Sequence, residues 1–213
     1  MRYRILSILL MVTAITSCIQ ISGLTSGFSH LTKQQQERVV AYNGRIADIH
    51  DYSYVYAVAV EQVKEFLSTH EKVLVYDFTP FCTSDNCISP DKLKDLCSEK
   101  GVELLVISNI YDDIFQSLSP RFPMLIINMD EYGTKRRSKY IDAFYVPLLG
   151  KNQKEIDYAL YHYFYKGTYL GSSKSIKDIK ELSGAGAELP LPLHQRMKCS
   201  FTKQQQIFTK QLI

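Results

Sequence analysis

An α/β fold with a central mixed sheet flanked by helices is predicted by three features of the 213-residue sequence. Short apolar runs, each the length of one buried strand, recur at Val73–Tyr76, Val102–Ile107 and Met124–Asn128. Stretches with helical spacing of apolar residues separate them. In Val73 to Gly101, VLVYDFTPFCTSDNCISPDKLKDLCSEKG, a strand runs through a polar cysteine loop into a helix, and a further strand follows. A strand–helix–strand order defaults to a right-handed parallel crossover.

The elements follow in chain order. Residues 1–17 have the form of a signal peptide: Arg2 and Arg4 give a charged start, and Ile5–Ile15 is an apolar core too short to cross a membrane. The sequence ITSC, ending at Cys18, resembles the lipobox of bacterial lipoproteins. That resemblance implies cleavage before Cys18, lipidation of its thiol, a membrane attachment through lipid and a place in the bacterial cell envelope. No acidic cluster follows in residues 19–29, which points to a periplasm-facing anchor. Residues 18–44 read as a tether with a Gln-rich segment, TKQQQ, repeated at Thr202–Gln206 without a shared apolar pattern.

The folded domain is expected over residues 45–166. Arg45–His50 reads as a short edge strand. From Tyr54 to Thr69, Tyr56, Val60, Val63 and Leu67 form the apolar stripe of an amphipathic helix. After the Val73 strand, Ser89 is suited to cap a helix, Pro90 to occupy its first turn and Gly101 to end it. Asp112–Leu118 has room for two helical turns. Lys139–Phe144 reads as an antiparallel return strand, and Lys154–Tyr165 as an aromatic helix whose inner face is Ile156, Leu160, Tyr163 and Phe164. Residues 167–213 read as a partly disordered C-terminal extension with a linker-like run, GAGAELPLPL.

Taking Arg2 and Arg4 from the 25 basic residues leaves 23 against 22 acidic ones, a balance that gives no reason to expect a nucleic-acid partner. Neither a cofactor nor a metal is expected, since the five histidines show no ligand spacing. With Cys18 set aside, Cys82, Cys87, Cys97 and Cys199 allow three disulfide connectivities, of which proximity favours Cys82–Cys87. Cys97 shares an apolar face with Leu93 and Leu96, as a buried thiol would. On a regular helix, five residues would carry Cys82 and Cys87 beyond the roughly 7 Å Cα limit for a disulfide. A bridge therefore requires an irregular segment, and Ser84, Asp85 and Asn86 are turn formers.

Cysteines after the second strand, and RFPMLIINMDEYG further on, resemble the thioredoxin fold. The likeness implies a cis-proline at Pro123 facing the cysteines, and thiol:disulfide exchange with Cys82 attacking, Cys87 resolving and a thiol or disulfide protein as partner. The spacing departs from that family's CxxC, with Asp85 where the second cysteine would stand. Locally, TPFCTSDNC is similar to the TPGCTxxxC signature of the peroxiredoxin Q type of thiol peroxidase. That likeness implies a peroxidatic Cys82, a resolving Cys87, a Thr79 hydroxyl positioning peroxide, and Arg121 as a candidate to stabilise the thiolate. Asp77 is a candidate proton-transfer group or a strand-end carboxylate. The third reading is a redox-inactive binding module in which the Cys82–Cys87 bridge is a structural clip.

Overall fold

A computed structural model describes residues 23–156 and 158–179. Cys18, the leader, Cys199 and most of the C-terminal extension lie outside the described residues. The elements are α1 (Lys33–Gln36), β1 (Val39–Ala41), β2 (Val55–Val58), α2 (Val60–Thr69), β3 (Lys72–Phe78), α3 (Pro90–Glu99), β4 (Glu103–Ser108), β5 (Met124–Ile127), α4 (Arg137–Leu149), β6 (Tyr161–Tyr165) and β7 (Thr168–Ser173). They form an α/β fold on one seven-stranded mixed sheet, ordered β1-β2-β5-β4-β3-β6-β7. The first five strands in this order are mutually parallel, and β6 and β7 are antiparallel to their neighbours.

The centre of the sheet follows directly from composition. In β3, β4 and β5 nearly every residue is buried, as expected of parallel strands covered on both faces. Helix α3 starts as its sequence dictates: the Ser89 hydroxyl accepts from the Lys92 amide, Pro90 occupies the first position, and Leu93 and Cys97 point into the core. Burial pushes the Cys97 thiol up to about 12, so it is an inert core residue. Gly101 ends the helix at φ +63°, in the left-handed region that glycine enters without strain.

Several elements differ from the sequence reading, each for a physical reason. The Gln-rich segment is folded rather than a tether: Thr32 and Gln35 form a reciprocal capping box over α1, and β1 pairs with β2. The sheet also extends beyond residue 166 through β7. Arg45–His50 holds a single 3-10 turn instead of a strand, and Ile114–Ser117 and Ile176–Asp178 are likewise 3-10 turns. The stripe read from Tyr56 belongs to two elements, because Val55–Val58 is wholly apolar and lies buried between β1 and β5. The helix therefore begins at Val60, where the Gln62 side chain accepts from the Ala59 amide and donates to the Tyr42 and Gly44 carbonyls.

The largest exchange is at the C-terminal side. Lys139–Phe144 lies inside helix α4, and Tyr161–Tyr165 is strand rather than helix. The run YHYFY is aromatic throughout and buried for four of its five residues, which suits a strand between two others. Lys166 and Gly167, both at positive φ, turn it back into β7 in the manner of a tight hairpin. Helix α3 covers the face of β3 that carries Tyr76 and Phe78, whereas α2 and α4 pack together on the other. No helix among the described residues is long and apolar enough to cross a membrane.

Candidate functional site

The cysteine loop leaves the sheet at the C-terminal end of β3, the edge where open parallel sheets characteristically bind their ligands. Two turns shape it. The Cys82 amide donates to the Thr79 carbonyl at 3.0 Å, and the Cys87 amide to the Ser84 carbonyl at 2.9 Å. Between them the chain is irregular, which brings the Cα atoms of Cys82 and Cys87 to 6.0 Å and lets the two residues form a disulfide. The Ser84 hydroxyl lies 3.5 Å from one sulfur and 3.4 Å from the other. Both cysteines are partly exposed.

Two tyrosines hold this loop from below. Tyr76 of β3 donates to the Ile88 carbonyl at 3.0 Å, and Tyr161 of β6 donates to the Asn86 carbonyl at 2.7 Å. Their rings stack at 4.9 Å, and desolvation raises the pKa of both hydroxyls, so they remain neutral donors. The sequence reading missed them because their adjacency depends on β3 pairing with β6, which places Tyr76 opposite Tyr161.

Beside the bridge opens a cleft of about 330 Å³, lined by Tyr76, Phe78, Pro80, both cysteines and the start of α3 among others. Thr79 enters the site through its carbonyl and is not among the residues lining the cleft. The helix begins only at Pro90, three residues after Cys87. The cysteines therefore lie in a loop in front of the helix, and a dipole effect confined to the first turn is weak at Cys82.

Arg121 and Pro123 are not brought to the cysteines. The Arg121 guanidinium is bound by Asp95 at 2.6 Å and lies 3.7 Å from Asp91, both on α3. Together with Pro123 it borders a separate depression with Phe66 and Lys94. The Phe122–Pro123 bond is trans, since no cis peptide occurs among the described residues. Strand β5 runs parallel to β3, with Ile126 level with Ser108 and hence with Phe78. Pro123 thus lies about 10 Å further from the cysteine edge than Ile126 does. From the antiparallel side this edge is met by Leu160, whose carbonyl accepts from the Asp77 amide at 2.8 Å.

Asp77 belongs to a second polar cluster on the opposite face of β3. The residue keeps some accessible surface, yet protein surrounds its carboxyl, and desolvation raises its pKa to about 6. Asn109 donates to it at 2.6 Å, and Arg137 donates to the Asn109 side-chain oxygen at 2.8 Å. The buried Tyr145 hydroxyl interacts with the same carboxyl without regular hydrogen-bond geometry. His162 is buried beside Tyr145 and bonds Ser172 at 2.7 Å. His70 caps the C-terminal end of α2, contacting the Phe66 carbonyl at 2.7 Å. No group of three or more metal-ligating side chains occurs among the described residues.

No family model, no curated protein and no solved structure matches this chain.

Proposed function

We propose that this protein is a thiol:disulfide oxidoreductase of thioredoxin-like fold, held in the bacterial cell envelope by lipid on Cys18. The observation that carries the reading is a partly exposed disulfide on an irregular loop at the C-terminal edge of the sheet, opening onto a cleft. The fold assignment is supported by the flanking of β3, with parallel β4 on one side and the antiparallel β6–β7 hairpin on the other. The trans Pro123 and the inserted β5–α4 unit are departures from that pattern.

In the reductive direction the Cys82 thiolate attacks a partner disulfide, forming a mixed disulfide and releasing one partner thiolate. Cys87 then attacks the Cys82 sulfur, expelling the second partner thiol. The partner gains two electrons and two protons, and the Cys82–Cys87 bridge is formed. A second thiol protein returns the pair to the dithiol by the reverse exchange. Peroxide reduction is the runner-up, because a Cys82 sulfenic acid would have Cys87 within bridging distance. It is weakened by the engagement of Arg121 with Asp91 and Asp95.

Insulin-disulfide reduction by the full chain, lost in Cys82→Ser, is the expected result. Peroxide consumption with a thiol donor, lost in the same variant, would move the assignment to the peroxidase. Inertness in both assays with a reduction potential below about −300 mV would make the bridge a structural clip. The mass of the mature N-terminus tests the anchor, and an unmodified residue there other than Cys18 would refute it.

A further inference from the structure

A larger cleft, of about 480 Å³, adjoins the cysteine loop on its other side. Phe81, next to Cys82 in sequence and 40 % exposed, forms one wall, and Leu31 and Phe115 contribute further apolar surface. Gln116 borders both this cleft and the one beside the disulfide, so the two meet across the segment Pro80–Cys82. Phe81 thus presents ring surface at the junction of the two clefts, a place suited to contact with a bound chain.

Acidic side chains outnumber basic ones in this cleft, where His30 is the basic group on the lining. Asp112 and Asp113 line it, and no Lys or Arg does. One Asp112 oxygen contacts His30 Nδ1 at 2.7 Å, while the other is buried without a partner. The carboxylate is pressed against Gly27, where an added Cβ would fall 2.8 Å from it. Asp113 is exposed and accepts from the Gln116 amide at 2.9 Å. Arg38 stands 5.2 Å from the Phe115 ring centre, is tied to the Ser53 carbonyl and is not among the residues lining the cleft.

Aromatic walls with an exposed carboxylate, Asp113, beside the His30-paired Asp112 favour a long-stemmed cation, whose methylenes cover the rings while its charge faces Asp113. We infer that the Phe81 cleft receives an Arg or Lys side chain of the polypeptide whose cysteine exchanges with the Cys82–Cys87 pair. The partner chain crosses Pro80–Cys82 with its cysteine in one cleft and the cation in the other. This inference rests on the oxidoreductase reading for its substrate, but the cation-binding cleft can be tested without any redox step.

The test uses short Ser- and Ala-based peptides carrying one cysteine and one arginine at varied separation, with citrulline in place of arginine as the neutral control. The peptide cysteine is carried as a mixed disulfide with thionitrobenzoate, so exchange with the reduced full-length protein is followed by thionitrobenzoate release, and binding of Cys→Ser versions by fluorescence anisotropy. At a favoured separation, arginine should exceed citrulline about tenfold in both readouts, as expected of a cation–π contact with a screened charge pair. Asp113→Asn should abolish that preference, and asparagine tolerates the positive φ of this position. Phe81→Ala should weaken binding of every arginine peptide. Binding that prefers arginine without any exchange upholds the cleft and refutes the oxidoreductase. Exchange that does not distinguish arginine from citrulline, absence of binding, or an unchanged preference in Asp113→Asn overturns the inference.

Discussion

Replacing Asp77 by asparagine should remove a pH-dependent loss of stability whose size follows from the buried carboxyl. In the folded protein desolvation holds the pKa near 6, against 3.8 for the ordinary side chain. The native state therefore keeps this proton at pH values where the unfolded chain has released it. Stability from this group is complete below pH 3.8, declines between 3.8 and about 6, and is lost above. The gap corresponds to about 3 kcal/mol, an upper figure because the residue retains some accessible surface. The amide introduced by Asp77→Asn would preserve the acceptor for Asn109 Nδ2 and supply an N–H able to donate to the Tyr145 hydroxyl. Urea unfolding of wild type and Asp77→Asn from pH 4 to 8 isolates the effect, since all other titrations are common to both. The wild type should lose up to about 3 kcal/mol relative to the variant as pH rises through this window. Parallel curves would refute the assignment of a desolvated Asp77.

Reducing the Cys82–Cys87 bridge should cost only about 2 kcal/mol by loop-closure entropy, because five positions separate the cysteines. The dithiol form should remain folded by circular dichroism, with a modest fall in melting temperature. Tyr161→Phe leaves the Asn86 carbonyl without its phenolic donor and should cost about 1 kcal/mol while accelerating reduction of the bridge by a soluble dithiol. Denaturant unfolding and thiol-release kinetics on the same sample measure both effects. Gly167→Ala places a Cβ 3.3 Å from the Ser68 Cα at φ +74° and should destabilise by about 1–2 kcal/mol, read as a shift in the urea midpoint.

The parallel centre of the sheet was legible because its signals are local. The runs at β3, β4 and β5 are continuously apolar, and Ser89, Pro90 and Gly101 mark the helix between the first two at both ends. Helix α4 was not legible. It buries Tyr140, Phe144, Tyr145, Leu148 and Leu149 on more than one side, so it lacks a narrow apolar stripe, and Pro147 stands within its last turn. Strand β6 gave the opposite illusion. Leu160 and Phe164 are four residues apart, as on a helix, yet covering by β3 and β7 makes the whole run a buried strand.

That misreading accounts for what was hidden at the site. The disulfide loop could be read from Cys82, Cys87 and three turn formers, since irregular geometry is a property of the segment itself. Asp77 could be singled out, but burial comes from partners supplied by other elements: Arg137 and Tyr145 from α4, and Asn109 from the end of β4. A segment read as a return strand cannot place a helix over β3, and without that helix Asp77 has no reason to be desolvated. The same dependence separates the two faces of β3. Tyr76 and Phe78 point to the disulfide cleft, so alternation directs Asp77 to the α4 side. Asp77 therefore has no direct line to the sulfurs through the sheet. If its protonation state influences exchange, it must do so by altering the end of β3 on which the cysteine loop is mounted. Asp77→Asn would then shift the pH profile of exchange without changing the site of attack, and trapping of the same Cys82 mixed disulfide by both proteins is the measurement that checks it.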